Sequence, residues 1–97
     1  MSGRARVLVW YVAPGDDPGA VERAYDQISG DLAGTPGLLG NELLRRLDDP
    51  LRVMVMSEWE SLASFQKWEQ GIDHRPATSP LRPYADRYEI YEVVSAF

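Results

Sequence analysis

The chain has 97 residues, 44% of them hydrophobic and 26% charged, with a net charge of −5 and no cysteine. That composition suits one globular domain over 1–97 and excludes a disulfide framework, a thiolate nucleophile and a zinc–thiolate site; acidic residues spread along its length argue against a nucleic-acid surface, which needs clustered Lys and Arg. No run approaches the length of a membrane span and Met1 to Ala5 lacks the apolar core of a signal peptide, so a cytoplasmic location is the expectation.

Arg6 to Val12 is β-branched and aromatic and is bounded by Pro14-Gly15-Asp16, which predicts a first strand. Its two faces are both apolar, with Val7, Val9 and Tyr11 on one and Leu8, Trp10 and Val12 on the other. Asp17 as N-cap and Pro18 at the first helical position predict a helix over 18–33, its stripe formed by Val21, Ala24, Tyr25, Ile28 and Leu32. Gly34 to Gly37 stops it. Leu38 to Leu47 and residues 51–59 read as a hairpin joined by the Asp48-Asp49-Pro50 turn. Ser61 caps a short second helix with Leu62, Phe65 and Trp68 along its buried side and Gly71 as its stop. Pro76, Pro80 and Pro83 then break the chain before a last strand, Arg87 to Val94.

The order is β-α-β-β-α-β, an α+β, ferredoxin-like antiparallel sheet with both helices on one side. The other side has no element left to cover it, yet the strands carry Val, Met, Trp or Tyr on both faces. Burying one such side chain stabilises by about 1.5–3 kcal/mol, and a patch of them usually marks an interface. A homodimer packed sheet against sheet, a dimeric α/β barrel, is the expected solution. Each protomer would keep a cavity between its own sheet and helices.

No phosphate-binding glycine loop, no His-x-x-x-His and no Gly-x-Ser-x-Gly is present, which leaves phosphoryl transfer and serine hydrolysis unsupported. A lone His74 beside Asp73 makes a poor metal site. What remains is an aromatic set of Trp10, Tyr11, Trp59, Phe65, Trp68, Tyr84 and Tyr88, whose flat rings suit planar ligands. His74, Arg75 and Arg82 accompany it on the Pro-rich loop. A histidine takes a proton near neutral pH, and an arginine stabilises an enolate or phenolate oxygen.

The run from Met56 through Glu58-Trp59-Glu60-Ser61 and Trp68 to His74-Arg75 and Tyr84, preceded by Glu42-Leu43-Leu44-Arg45, resembles the antibiotic biosynthesis monooxygenase superfamily. It is similar in particular to the tetracenomycin-type oxygenases of aromatic polyketide pathways. The resemblance implies a dimeric α/β barrel that oxidises an anthrone-like polyphenol to a quinone with O2 and without metal, flavin or haem. It further implies that Trp59 and Trp68 line the substrate slot, that His74 is the base or proton relay, that Arg75 or Arg82 faces the oxyanion, and that Tyr84 is a secondary proton donor. Trp10 and Phe65 join the substrate-binding set.

A haem-degrading branch of the same fold pairs the helix Trp with an iron-ligating His and an Asn on the first strand. Here Thr78 stands where that His is expected and the first strand has no Asn, so haem degradation is disfavoured. Some anthrone-oxidising members use an Asn–Trp pair; Asn41, in the predicted second strand, is the chain's only Asn. Two other readings stay open: a non-oxidative polyketide cyclase or isomerase using the same pocket, and a non-catalytic dimer that binds an aromatic metabolite.

Overall fold

A strand buried on both sides must be apolar on both sides, and the two strands that meet this test, β1 (Ala5–Val12) and β3 (Arg52–Trp59), lie at the centre of the sheet. The computed structural model describes residues 3–71 and 79–97. The remaining elements are α1 (Ala20–Leu32), β2 (Leu38–Arg45), α2 (Leu62–Glu69), a single 3-10 turn (Arg82–Tyr84) and β4 (Ala85–Glu92). The sheet order is β2-β3-β1-β4 with every neighbouring pair antiparallel. The expected ferredoxin-like α+β arrangement is the one observed.

Register decides which side chains share a face, because residues directly opposite in an antiparallel pair project to the same side. Val7 lies opposite Ser57, Val9 opposite Val55 and Tyr11 opposite Val53, and this inner face is buried. Leu8 opposite Met56 and Trp10 opposite Met54 form the outer face, which Leu44 on β2 and Arg87 on β4 extend. The β1–β4 register slips between Trp10 and Tyr11, so that Tyr11 meets Ala85 and Asp86 is left without a partner. A bulge of this kind re-aims the side chains beside it.

Helix α1 buries Val21, Ala24, Ile28 and Leu32 of the expected stripe together with Ala20, whereas Tyr25 is half-buried at the edge of the core. Its start differs from expectation. Gly19 is the residue before the helix, without a side-chain cap, and Ala20 N–H donates to the Asp17 carbonyl at 3.1 Å. Pro18-Gly19 therefore forms the middle of a turn, and the Asp17 carboxylate is paired with Arg23 rather than with the helix end. Ser61 behaves as expected, its hydroxyl accepting from Ser64 N–H at 3.1 Å. On α2 Phe65 is buried and Trp68 half-buried, but Leu62 is 44% exposed. In this eight-residue helix Phe65 is the one residue fully buried.

Gly37 joins α1 to β2 at a point where only glycine fits. Its φ is +84°, and a Cβ built there would collide with Ser64 at the start of α2. The Gly37 carbonyl also accepts from Glu60 N–H at 2.8 Å, which ties this loop to the β3–α2 corner. The core runs under both helices. One cluster centres on Tyr11, Val21, Ile28 and Val55, the other on Val7, Trp59 and Phe65, with Val9, Leu38 and Trp68 packed against both.

Candidate functional site

Between the inner sheet face and the helices lies a cavity of about 300 Å³. Val7, Val9 and Tyr11 of β1 and Val55 and Trp59 of β3 form its floor. Ile28 and Leu32 of α1 and Phe65, Trp68 and Glu69 of α2 form its walls. Leu81, Arg82 and Tyr88 complete it on the β4 side.

The aromatic wall is built by spacing. Trp59 ends β3 on the inward parity, and Phe65 and Trp68 fall three apart on one side of α2, so the corner at Ser61 folds all three rings together. Trp59 is only 2% exposed; its ring centroid lies 5.5 Å from Phe65, edge to face, and 5.4 Å from Trp68. Such pairs add roughly 0.5–1.5 kcal/mol beyond the area they bury. The Trp59 indole N–H donates to the Ser57 hydroxyl at 2.9 Å, so this ring presents to the cavity an apolar surface and no free donor.

Among the described residues five polar side chains interrupt the apolar lining: Tyr11, Asn41, Glu69, Arg82 and Tyr88. The Asn41 carboxamide oxygen accepts from the Tyr25 hydroxyl at 2.5 Å, and the amide N–H groups of Asn41 have no hydrogen-bond partner among the described residues. Burial, aided by Glu42 and Asp26, raises the Tyr25 pKa and keeps that hydroxyl a donor. Burial pushes the Tyr11 phenol up to about 12, with the Arg82 guanidinium pulling weakly the other way. Among the described residues no group of three or more His, Asp or Glu side chains is arranged to hold a metal ion.

Of the residues expected at the site, Trp59, Phe65, Trp68 and Arg82 line this one cavity. Trp10 does not. It stands on the outer face, beneath the Arg87 guanidinium at 4.3 Å from its ring, because its parity on β1 is opposite to that of Val9 and Tyr11. Tyr84 packs against the core cluster around Tyr11 and is not among the cavity-lining residues. His74 and Arg75 lie outside the described residues.

Glu69 is absent from the expected set, and Asn41 entered it only through the resemblance to members that use an Asn–Trp pair. Helical spacing marks Glu69, four residues beyond Phe65 on the same side of α2, and strand parity marks Asn41, whose opposite number is the buried Ser57.

A second hollow, of about 410 Å³, lies on the outer face beside Trp10, Leu44, Met54 and Arg87. Its other arginines are already matched, Arg45 by Glu22, Arg46 by Asp48 and Arg52 by Asp49, so it is no concentrated anion site.

A family model described as antibiotic biosynthesis monooxygenase matches residues 5–78. SchA of Streptomyces halstedii is 31% identical over 81 residues, 84% of this chain and 21% of that protein. A 42.8 kDa protein in the whiE locus of Streptomyces coelicolor is 34% identical over 58 residues, 60% of this chain and 15% of that protein. The chain thus spans about a fifth or less of the length of these relatives. Among solved structures, SnoaB from Streptomyces nogalater, described as a cofactor-independent oxygenase, superposes with a TM-score of 0.84 at 16% identity, covering 98% of this chain and 97% of SnoaB. At that identity the likeness establishes the fold.

Proposed function

The chain belongs to the antibiotic biosynthesis monooxygenase family, and from that premise we propose that it is a cofactor-independent oxygenase converting an anthrone-like aromatic polyketide to a quinone. The observation that carries this reading is the ring wall of Trp59, Phe65 and Trp68 on a cavity that also holds the cationic Arg82. A flat polyphenol fits such a slot, and a guanidinium at one side stabilises the charge that its deprotonation creates. The description of SnoaB as a cofactor-independent oxygenase supports the reaction type.

The chemistry starts with loss of a proton from the activated ring CH2, with His74 as the proposed base and Arg75 or Arg82 beside the oxyanion. The resulting carbanion passes one electron to O2. The substrate radical and superoxide combine at that carbon and take up a proton to give a hydroperoxide. Loss of the remaining C–H proton with cleavage of the O–O bond releases water and leaves the carbonyl, so one CH2 and one O2 become one C=O and one H2O. The protein's share is to hold the enolate, exclude bulk water and keep the reacting carbon open to O2.

The outer sheet face supports a homodimer. Leu8, Trp10, Met54 and Met56 lie together there, and Val12, Leu44 and Tyr91 around them are more than one-third exposed. A second copy laid on this face would remove that apolar surface from water.

The decisive measurement is O2 uptake with a hydroxyanthrone, corrected for autoxidation without protein. One O2 consumed per quinone formed is expected, with turnover abolished when oxygen is removed. Turnover that continues anaerobically would refute the oxygenase and leave the cyclase or isomerase chemistry.

A further inference from the structure

Tyr11 is 7% exposed and lines the cavity, yet its hydroxyl makes no hydrogen bond with any described residue. Buried hydroxyls in folded proteins are nearly always paired, because water lost on burial has to be replaced. An unpaired one on a cavity wall is a donor waiting for a ligand.

Its surroundings specify that ligand. The Arg82 guanidinium is close enough to act on the phenol electrostatically, and both groups line the same end of the cavity. Burial keeps Tyr11 protonated throughout the neutral range, so it donates and does not compete with an anion for Arg82. The bulge between Trp10 and Tyr11 places Ala85 opposite the tyrosine, and Ala85 lines the same cavity. Tyr11 lies opposite Val53, six residues before Trp59 on β3, so the donor and the aromatic wall stand about 20 Å apart along the strand. Val7, Val9 and Val55 also line the cavity and give it an apolar floor suited to a flat fused-ring molecule.

We propose that Tyr11 is the hydrogen-bond donor to the ionised oxygen of the aromatic substrate, with Arg82 supplying the accompanying charge and the rings extending toward Trp59, Phe65 and Trp68. This rests on the oxygenase reading of the cavity and adds to it the residue that orients the substrate. A directed donor at a developing oxyanion contributes a factor on the order of 10² to turnover.

The test uses Tyr11→Phe, which keeps the ring and removes only the unpaired hydroxyl, with 1,8-dihydroxyanthraquinone as a coloured probe. Binding is followed by tryptophan quenching and ionisation of the bound probe by its visible absorbance. Among the described residues the other ionisable groups sharing the cavity are Glu69, Arg82 and Tyr88, and all are retained in the variant. Three results are expected: a bound-probe phenol about one pH unit more acidic in the wild type than in the variant, a kcat with a hydroxyanthrone lower by about 10²-fold in the variant, and a melting temperature of the ligand-free variant at or above that of the wild type. An unchanged probe pKa in the variant would overturn the proposal, as would a lower melting temperature, which would mean that the hydroxyl has a structural partner. If the wild type fails to bind the probe, the oxygenase reading itself falls and takes this assignment with it.

Discussion

At the scale of single residues the inner face is a sequence of satisfied and unsatisfied polar groups. Trp59 N–H has Ser57, and Asn41 has Tyr25. Tyr11 has no hydrogen-bond partner among the described residues, and its burial leaves a signature in the pH dependence of stability. Unfolding returns the phenol from about 12 to its ordinary 10.0. A folded pKa above the unfolded one means that the native state holds the proton longer. The contribution is therefore whole below pH 10 and is lost as pH rises through 10 toward 12. By pH 11 that loss amounts to about 1.4 kcal/mol, one pH unit's worth. Urea titrations at pH 9 and pH 11 should show the wild type losing more stability than Tyr11→Phe by that amount. Equal losses in the two proteins would mean that the phenol is not desolvated.

At the scale of elements, glycine usage separates tolerance from necessity. Gly30 lies on the exposed side of α1, where a Cβ would meet nothing within 4 Å. A helix-interior glycine costs about 0.5–1 kcal/mol relative to alanine. Gly30→Ala should therefore raise the urea midpoint by that much in free energy with an unchanged slope. A neutral or lower midpoint would show that this turn of α1 is not helical in solution. Gly37 is the opposite case, since both its positive φ and the approach of Ser64 demand the missing side chain. That close approach is also what brings α2, and with it Phe65 and Trp68, down over the end of β3.

At the scale of the whole molecule, two faces of one sheet carry two different tasks. The inner face is closed by helices and holds the cavity. The outer face presents Leu8, Trp10, Met54 and Met56 with no covering element among the described residues. If two copies join there, a charge at its centre should separate them without touching the core. Met54 sits between Trp10 on β1 and Leu44 on β2. Met54→Asp is expected to shift sedimentation equilibrium from dimer to monomer while far-UV circular dichroism keeps its native shape. A wild type that sediments as a monomer at micromolar concentration would remove the homodimer.

The element order, most of the α1 stripe, the Ser61 cap and the clustering of rings at the β3–α2 corner were legible in the chain. Each depends on contacts between residues near in the chain, where strand period, helix period and capping chemistry act directly. The sequence also marked β1 and β3 as apolar on both sides, but not which side faces the helices. Packing settled that, because a face is inner or outer according to what lies on it, and α1 and α2 reach the sheet from distant parts of the chain. That choice sent Tyr11 into the cavity and Trp10 out of it, although the two are adjacent and both aromatic. It also brought Asn41, Glu69 and Arg82 to one cavity from β2, α2 and the turn before β4, a convergence that no local pattern encodes.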